Sequence, residues 1–309
     1  MSSPASDTFA AIDLGSNSFH MVVARNGPNG LVTIDRLRDP VRLAQGLQPH
    51  GSLHPDAWAR GIAALSRFAR RLEGLSPEHV RAVGTNALRM ASDADDFIAE
   101  AEATLGFTVD VVSGDEEAAL VYCGVRQFLA ENHEPIMVFD IGGSSTELAA
   151  GKAGEPEWSV SEQLGCVTLS ETHFPDRRVS LDLIHSATAG AIEHLQRVRA
   201  ELMRRSPARV LGTSGALGTL ATLCESLGTA HGRVSRRGLD EVAAQLAELG
   251  EFDRFVRLGI SPDRAEVVAA SLCIAQGLLD ICELDEVEVV DAAIREGVLA
   301  RLVAENQGR

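Results

Sequence analysis

Residues 137–151 read MVFDIGGSSTELAAG. Three apolar residues lead into Asp140. Two glycines follow Ile141, then Ser144, Ser145, Thr146 and Glu147, then apolar residues again. This order predicts a buried strand, a tight loop the size of a phosphate, and the outgoing arm of a β-hairpin. Glycines let backbone N–H groups close on a phosphate, and serine and threonine hydroxyls add donors. Gly142, Gly143, Ser144 and Ser145 are therefore candidate phosphate-binding residues. Asp140 at the strand end and Glu147 across the turn are candidate ligands for a hard, oxygen-preferring cation such as Mg²⁺. An ordinary hairpin turn also favours Gly and Ser, so the stretch alone fits either reading.

The stretch has a twin. Residues 9–24 read FAAIDLGSNSFHMVVA. Setting Asp13 on Asp140 also sets Gly15 on Gly142 and Ser18 on Ser145, at one constant offset. By the same correspondence Asp13 joins the candidate metal ligands. A sequence echo at domain-scale spacing predicts two similar halves facing each other across a cleft. Two Asp-x-Gly loops meeting there would grip a polyanion from both sides.

The 309 residues suffice for two domains with full cores. The hydrophobic fraction of 45% is that of an ordinary globular protein. No apolar run reaches membrane-spanning length, and residues 1–8 lack the charged and apolar regions of a signal peptide. Cys123, Cys166, Cys224, Cys273 and Cys282 are scattered, odd in number and form no CxxC. They predict reduced thiols in a cytoplasmic protein, without a zinc or disulfide framework. A net charge of −16 should repel nucleic acid and anionic membranes unless positive charge is concentrated locally, so neither is expected as a partner. Lys152 is the only lysine. Arginine forks suit phosphate, although genomic base composition also favours arginine throughout a chain.

In chain order, residues 8–14 read as a strand. Residues 18–25 and 31–38 form a hairpin around Asn26-Gly27-Pro28-Asn29-Gly30. Arg36, Arg38 and Arg42 follow. A solvated face is the preferred reading of these three; one wall of an anion channel is the other. Pro55 opens a helix to about Leu72. His50 and His54 flank Gly51 in a loop and read as exposed rather than metal-binding. Residues 80–83 are a short strand that runs into Gly84-Thr85-Asn86-Ala87-Leu88-Arg89. Arg89, one turn into the next helix, could reach a ligand beyond the strand ends or lie on the helix surface. A helix spans 93–105 and a strand 109–112. Asp115, Glu116 and Glu117 then open a helix, where the macrodipole favours acids. One of them could also serve as a general base toward water.

The second half restarts at Ile136, with a hairpin around residues 151–154 that leads to 164–167. Ser180 caps a helix reaching about Arg205. Residues 208–211 are a strand, and Gly212-Thr213-Ser214-Gly215 is a third glycine-serine loop that enters a helix. Residues 239–249 and 262–283 read as helices, 286–290 as the last strand and 291–306 as the last helix. Each half alternates strands and helices, which predicts an α/β fold of mixed sheets flanked by helices. The expected domains are 1–127 and 128–309, with the last helix able to fold back on the first domain.

Seven stretches together resemble one family. They are DLGSNSFHMVVAR from Asp13, GTNALR from Gly84, VVSGDEEAALVYCGV from Val111, VFDIGGSSTEL from Val138, LGCVTLSE from Leu164, GTSGALGTLA from Gly212 and AAIREGVL from Ala292. In this order they resemble the exopolyphosphatase/guanosine pentaphosphate phosphohydrolase family of the actin-like superfamily. The resemblance implies two ribonuclease-H-like, actin-like domains with the active site in the cleft between them. It implies Glu117 as general base, with Asp140 and Glu147 near a catalytic Mg²⁺ that Mn²⁺ could replace. It assigns phosphate holding to Ser16, Asn17, Ser18, Arg89 and Gly142–Ser145. Gly212, Ser214 and Gly215 match a loop that approaches a nucleotide or distal phosphates.

Three positions depart from the family pattern. Ala119 and Thr168 stand where arginine is frequent, and Ser144 where a third glycine is common. Long family members carry a further histidine-rich helical domain, so the likeness is to the short two-domain members. The implied activity is release of terminal orthophosphate from inorganic polyphosphate by a homodimer. The alternatives are guanosine pentaphosphate 5'-phosphohydrolysis and a non-catalytic polyphosphate or nucleotide sensor of the same fold. A sugar kinase fits worst, because Glu117 is placed for water and no sugar-binding insert is visible.

Overall fold

Every residue of β1 (Thr8–Leu14) except Asp13 is buried, as expected of an apolar strand covered on both faces. The structure, a computed structural model, describes residues 7–27, 30–129, 134–205 and 207–308. β2 (Phe19–Gly27) returns antiparallel to β1 and sets His20 opposite Asp13. β3 (Gly30–Asp39) continues the meander, with a bulge opposite Val23 and Ala24. Pro28 and Asn29 of the expected turn lie outside the described residues.

α1 (Pro55–Leu72) begins on a proline, and its N-cap is His54, whose Nδ1 accepts from the Asp56 N–H at 3.2 Å. Ala57, Gly61, Ala64, Leu65, Phe68 and Leu72 form its buried stripe. Phe68 is wholly buried, and truncating it to alanine would cost about 3–5 kcal/mol. β4 (Val80–Gly84) lies parallel to β1 and leads into the short α2 (Asn86–Met90). α3 (Ala94–Leu105) stops where Gly106 takes φ +84 and returns its N–H to Glu102 O. β5 (Val109–Val111) lies parallel to β4, and α4 (Gly114–Phe128) follows. The sheet order is β3-β2-β1-β4-β5.

The second half repeats this plan. β6 (Ile136–Ile141), β7 (Thr146–Gly151) and β8 (Trp158–Glu162) form the meander. α5 (Cys166–His173) and α6 (Leu181–Met203) follow, the latter capped by Ser180 Oγ accepting from Leu183 N–H. β9 (Arg209–Thr213) lies parallel to β6 and runs into α7 (Ser214–Ser226). β10 (Arg233–Ser235), α8 (Arg236–Leu249), α9 (Pro262–Ala265), α10 (Val268–Ile281) and β11 (Glu286–Val289) complete it. The order is β10-β11-β9-β6-β7-β8. Without the edge strand β10, it matches the first sheet strand for strand. The sequence echo is thus a repeat of topology.

The chain divides into two units, Met1–Phe128 with Ala293–Arg309, and Leu129–Ala292. Each has its own core. Phe19, Met21, Leu65, Phe68 and Phe97 anchor the first; Phe139, Leu220, Leu246 and Phe255 anchor the second. The last helix, α11 (Ile294–Asn306), takes the option left open for it and groups with the first unit, where it packs on α4 and β1. Two glycines permit this. A Cβ on Gly124 would overlap Ala293 O, and one on Gly297 would overlap Leu120 O, so the two helices touch backbone to backbone.

Other expectations need correction. The single helix expected over 262–283 is two helices, broken at Glu266–Val267. Ser170 Oγ donates to Glu266 O at 2.8 Å and Arg177 pairs with the Glu266 carboxylate, so tertiary contacts hold the break. α5 and β10 were not expected, and α11 starts three residues later than the expected Asp291 because Ala293 is still extended.

Candidate active site

In the first unit, the Gly15 loop joins β1 to β2. A Cβ on Gly15 would lie 2.7 Å from Ser18 O, and one on Gly142 would lie 2.9 Å from Ser145 O. The twin loops therefore share one close turn that only glycine fits. Ser16 and Ser18 are buried. Ser16 Oγ accepts from Ala87 N–H at 3.2 Å, which ties this loop to the turn ahead of Arg89.

Arg89 Nη1 donates to Val112 O and to Glu117 Oε2, both at 2.8 Å. Glu117 is 9% exposed, whereas its neighbours Asp115 and Glu116 are exposed. Adjacent helical side chains diverge by about 100°, so one can turn inward while the next faces water. Burial pushes the Glu117 carboxyl above its ordinary range, against the opposing charge and hydrogen bond of Arg89. Arg89 Nη2 is buried and has no hydrogen-bond partner among the described residues. A buried charged donor without an acceptor is costly, and an anionic oxygen would complete it. Three stretches far apart in sequence thus converge here: the Gly15 loop, the turn carrying Arg89, and the start of α4.

In the second unit, Asp140 and Glu147 stand directly opposite each other in the β6–β7 ladder. Glu147 is 3% exposed and accepts from Ser161 Oγ at 2.7 Å. Like charges facing across a ladder repel, and a cation between them relieves this. Among the described residues no three His, Cys, Asp or Glu side chains form a ready-made metal cluster. Two carboxylates nevertheless suit Mg²⁺, which keeps several waters and takes further oxygens from substrate phosphates. Asp13, the third metal candidate, lies in the first unit opposite His20 rather than opposite a second carboxylate.

The Gly142 loop is closed from behind. Cys166 and Val167 N–H groups donate to Gly142 O at 2.9 Å and Gly143 O at 2.7 Å. Gly165 packs so tightly on Gly143 and Ser144 that a Cβ would overlap them. These contacts fix the start of α5. Ser145 is buried, and the buried Ser144 Oγ has no hydrogen-bond partner among the described residues. The third loop lies alongside, because Thr213 pairs with Asp140 in the β6–β9 ladder.

The model of the Ppx/GppA phosphatase family matches residues 22–306. The chain belongs to that family. A Haemophilus influenzae protein provisionally named exopolyphosphatase is 32% identical over 293 residues, covering 95% of this chain and 90% of the relative. An Aeromonas salmonicida protein named guanosine-5'-triphosphate,3'-diphosphate pyrophosphatase is 34% identical over 97% of this chain, which spans 60% of that relative's length. The solved Aquifex aeolicus PPX-GPPA enzyme is 25% identical with a TM-score of 0.79, covering 95% of this chain and 99% of that one. The shared architecture is the actin-like pair of mixed sheets flanked by helices. Family membership places the chain among enzymes that hydrolyse phosphoanhydride bonds.

Within this Ppx/GppA chain, Thr168 has a local task. Its Oγ1 donates to Gly165 O at 3.0 Å and accepts from Gly165 N–H at 3.3 Å, closing the turn beneath the Gly142 loop. Arg264, which the sequence reading missed, lies against Gly215, where a Cβ would overlap its guanidinium. No spacing or composition signal marks Arg264 beforehand. His50 is exposed and shares a hydrogen bond with Ser52 Oγ. All five cysteines are free thiols. Among the described residues no helix is long and apolar enough to cross a membrane.

Proposed function

We propose that this Ppx/GppA chain hydrolyses the terminal phosphate from inorganic polyphosphate, with Glu117 as general base and Mg²⁺ as the required cation. One observation carries the reading: the buried Arg89–Glu117 pair keeps a guanidinium nitrogen unengaged beside the carboxylate. Arg89 Nη1 holds the carboxylate in place, and Nη2 is the donor for a phosphate oxygen. The raised Glu117 pKa makes the carboxylate a better proton acceptor than an ordinary glutamate. It takes a proton from the attacking water, oxygen bonds to the terminal phosphorus, and the bond to the bridging oxygen breaks. Ser16, Asn17 and Ser18, with Gly142–Ser145, are the donors that position the phosphates. Gly212, Ser214 and Gly215 would serve phosphates further along. Asp140 and Glu147 would hold Mg²⁺, or Mn²⁺ in its place, which neutralises phosphate charge when bound. Positioning and electrostatics supply most of the rate in such chemistry.

The name of the Aeromonas relative favours a second reading, the same chemistry on guanosine pentaphosphate. The same proposal takes the chain as a cytoplasmic homodimer; sedimentation of the purified chain tests its oligomeric part. Phosphate release from polyphosphate and from guanosine pentaphosphate, with Mg²⁺ and with chelator, tests the chemistry. Mg²⁺-dependent release from polyphosphate is the expected result, and faster release from the pentaphosphate would select the second reading. Binding without release under any divalent cation would overturn hydrolysis and leave a sensor.

A further inference from the structure

We propose that Arg42 is a phosphate-binding residue of the first unit, a role that rests on the phosphohydrolase reading and extends its grip on substrate. Arg42 lies just beyond β3, between the buried Val41 and Leu43. Its backbone sits at φ +55, in the left-handed region that large side chains rarely adopt. Two hydrogen bonds pin this segment. Arg42 N–H donates to Asn17 O at 2.8 Å, and Ala44 N–H donates to Ser16 O at 2.9 Å. Arg60 Nε holds Val41 O at 2.9 Å from the other side. The segment is thus laid along Ser16 and Asn17, the start of the candidate phosphate loop.

The side chain is half-buried, and among the described residues its guanidinium makes no hydrogen bond or ion pair. Nearby arginines are engaged: Arg36 meets Glu296 at 3.5 Å and Arg67 meets Asp39 at 2.8 Å. In a chain of net charge −16, an arginine without an acidic partner beside this loop stands out. Glycine would satisfy the backbone without strain. What arginine adds is a planar fork that matches two phosphate oxygens. The ligand class is an oligophosphate, gripped through non-bridging oxygens next to those held by Ser16–Ser18.

Arg42→Gly separates backbone from side chain, since it relieves the φ and removes the cation. Its thermal midpoint should equal or exceed that of the unmodified chain. Its KM for polyphosphate should rise about ten- to a hundred-fold, the range for a lost hydrogen bond to a charged group, with a smaller change in kcat. The Kd of tripolyphosphate, measured by calorimetry without divalent cation, should rise by the same factor. Arg42→Lys, which keeps the charge but not the fork, should fall between. Unchanged KM and tripolyphosphate affinity in Arg42→Gly would overturn the inference, as would a lower midpoint with unchanged KM. If the unmodified chain binds tripolyphosphate through Arg42 yet releases no phosphate, the inference stands and the hydrolase reading falls. If it neither binds nor hydrolyses, both fall.

Discussion

Glu117→Gln exchanges one carboxylate oxygen for an amide at nearly constant shape. The side chain is 9% exposed and 2.8 Å from Arg89 Nη1, and the amide oxygen can still accept from that nitrogen. What is lost is proton acceptance. General-base assistance is worth ~10²–10⁴-fold, so kcat should fall by that factor, about 3–5 kcal/mol of barrier. Glutamine resembles the protonated carboxyl. Because burial raises the Glu117 pKa in the folded state, folding favours that protonated form. The stability it contributes is complete below the unfolded pKa and is lost as pH rises through the folded one. The glutamine variant escapes this loss, so at neutral pH it should be at least as stable as the unmodified chain. Glu116→Gln, altered on an exposed neighbour, should keep most turnover.

The assay is steady-state phosphate release, with a thermal melt of each variant and tripolyphosphate binding as controls for fold and affinity. In the unmodified chain the acid limb of kcat should lie above the ordinary glutamate value of about 4.3, because the base must be ionised to work. Undiminished turnover in Glu117→Gln would refute the assignment. So would loss in Glu116→Gln alone, which would put the base one residue earlier. A midpoint in Glu117→Gln that drops more at neutral than at acid pH would show that the Arg89 charge outweighs burial.

Three further outcomes follow from the geometry. Asp140→Asn and Glu147→Gln should each raise the Mg²⁺ concentration needed for half-maximal phosphate release; full activity of both in chelator would remove the cation from the scheme. Ser144→Ala deletes a buried hydroxyl that lacks a partner, so urea unfolding should show no loss and up to about 1 kcal/mol of gain, with a weaker KM. A destabilised variant would mean that the hydroxyl has a protein acceptor. Gly124→Ala would force α4 and α11 apart and should cost about 1–3 kcal/mol or more in the same unfolding assay, whereas an unchanged midpoint would show that the contact tolerates a side chain.

The twin loops were legible because a glycine with a fixed spacing to an aspartate and a serine records a backbone requirement. The same close approach to Ser18 O and Ser145 O now accounts for Gly15 and Gly142. Helix phase showed only that one of the acids opening α4 could turn inward while its neighbour faced water; the family resemblance pointed to Glu117, and Glu117 is the buried one. Other features leave no local trace. α5 is eight residues long, and Gly142 and Gly143 carbonyls in a different segment fix its start. The break at Glu266 depends on Ser170 and Arg177, nearly a hundred residues away in sequence. The return of α11 to the first unit was allowed for, but the contact that fixes it was not, because Gly124 and Gly297 read separately as ordinary helix glycines. Arg264 carries no spacing signal, and Arg42 was visible only as one of three closely spaced arginines read first as a solvated face, because a left-handed arginine or an arginine lying on a glycine depends on what packs around it.

The repeat is symmetric in backbone and asymmetric in charge, and that asymmetry bears on the cation. His20 and Glu147 occupy equivalent places, opposite Asp13 and Asp140 in their ladders. Arg295 Nη1 reaches His20 Nδ1 at 3.1 Å, so the first unit sets an aspartate against a residue linked to a cation. Its other cations at the loop, Arg89 and Arg42, are the proposed phosphate holders. The second unit sets two carboxylates against each other beside its glycine loop. At an effective dielectric near 20, two like unit charges at 4 Å repel by about 4 kcal/mol, so an anion arriving there alone meets a barrier. On the proposed reading, the second unit contributes to phosphate binding only with a divalent cation present, whereas the first contributes without one. Calorimetry in chelator therefore isolates the first unit. Tripolyphosphate binding there should weaken in Arg89→Gln and be indifferent to Asp140→Asn. If Asp140→Asn changed the cation-free affinity as much as Arg89→Gln, this division between the twins would be wrong.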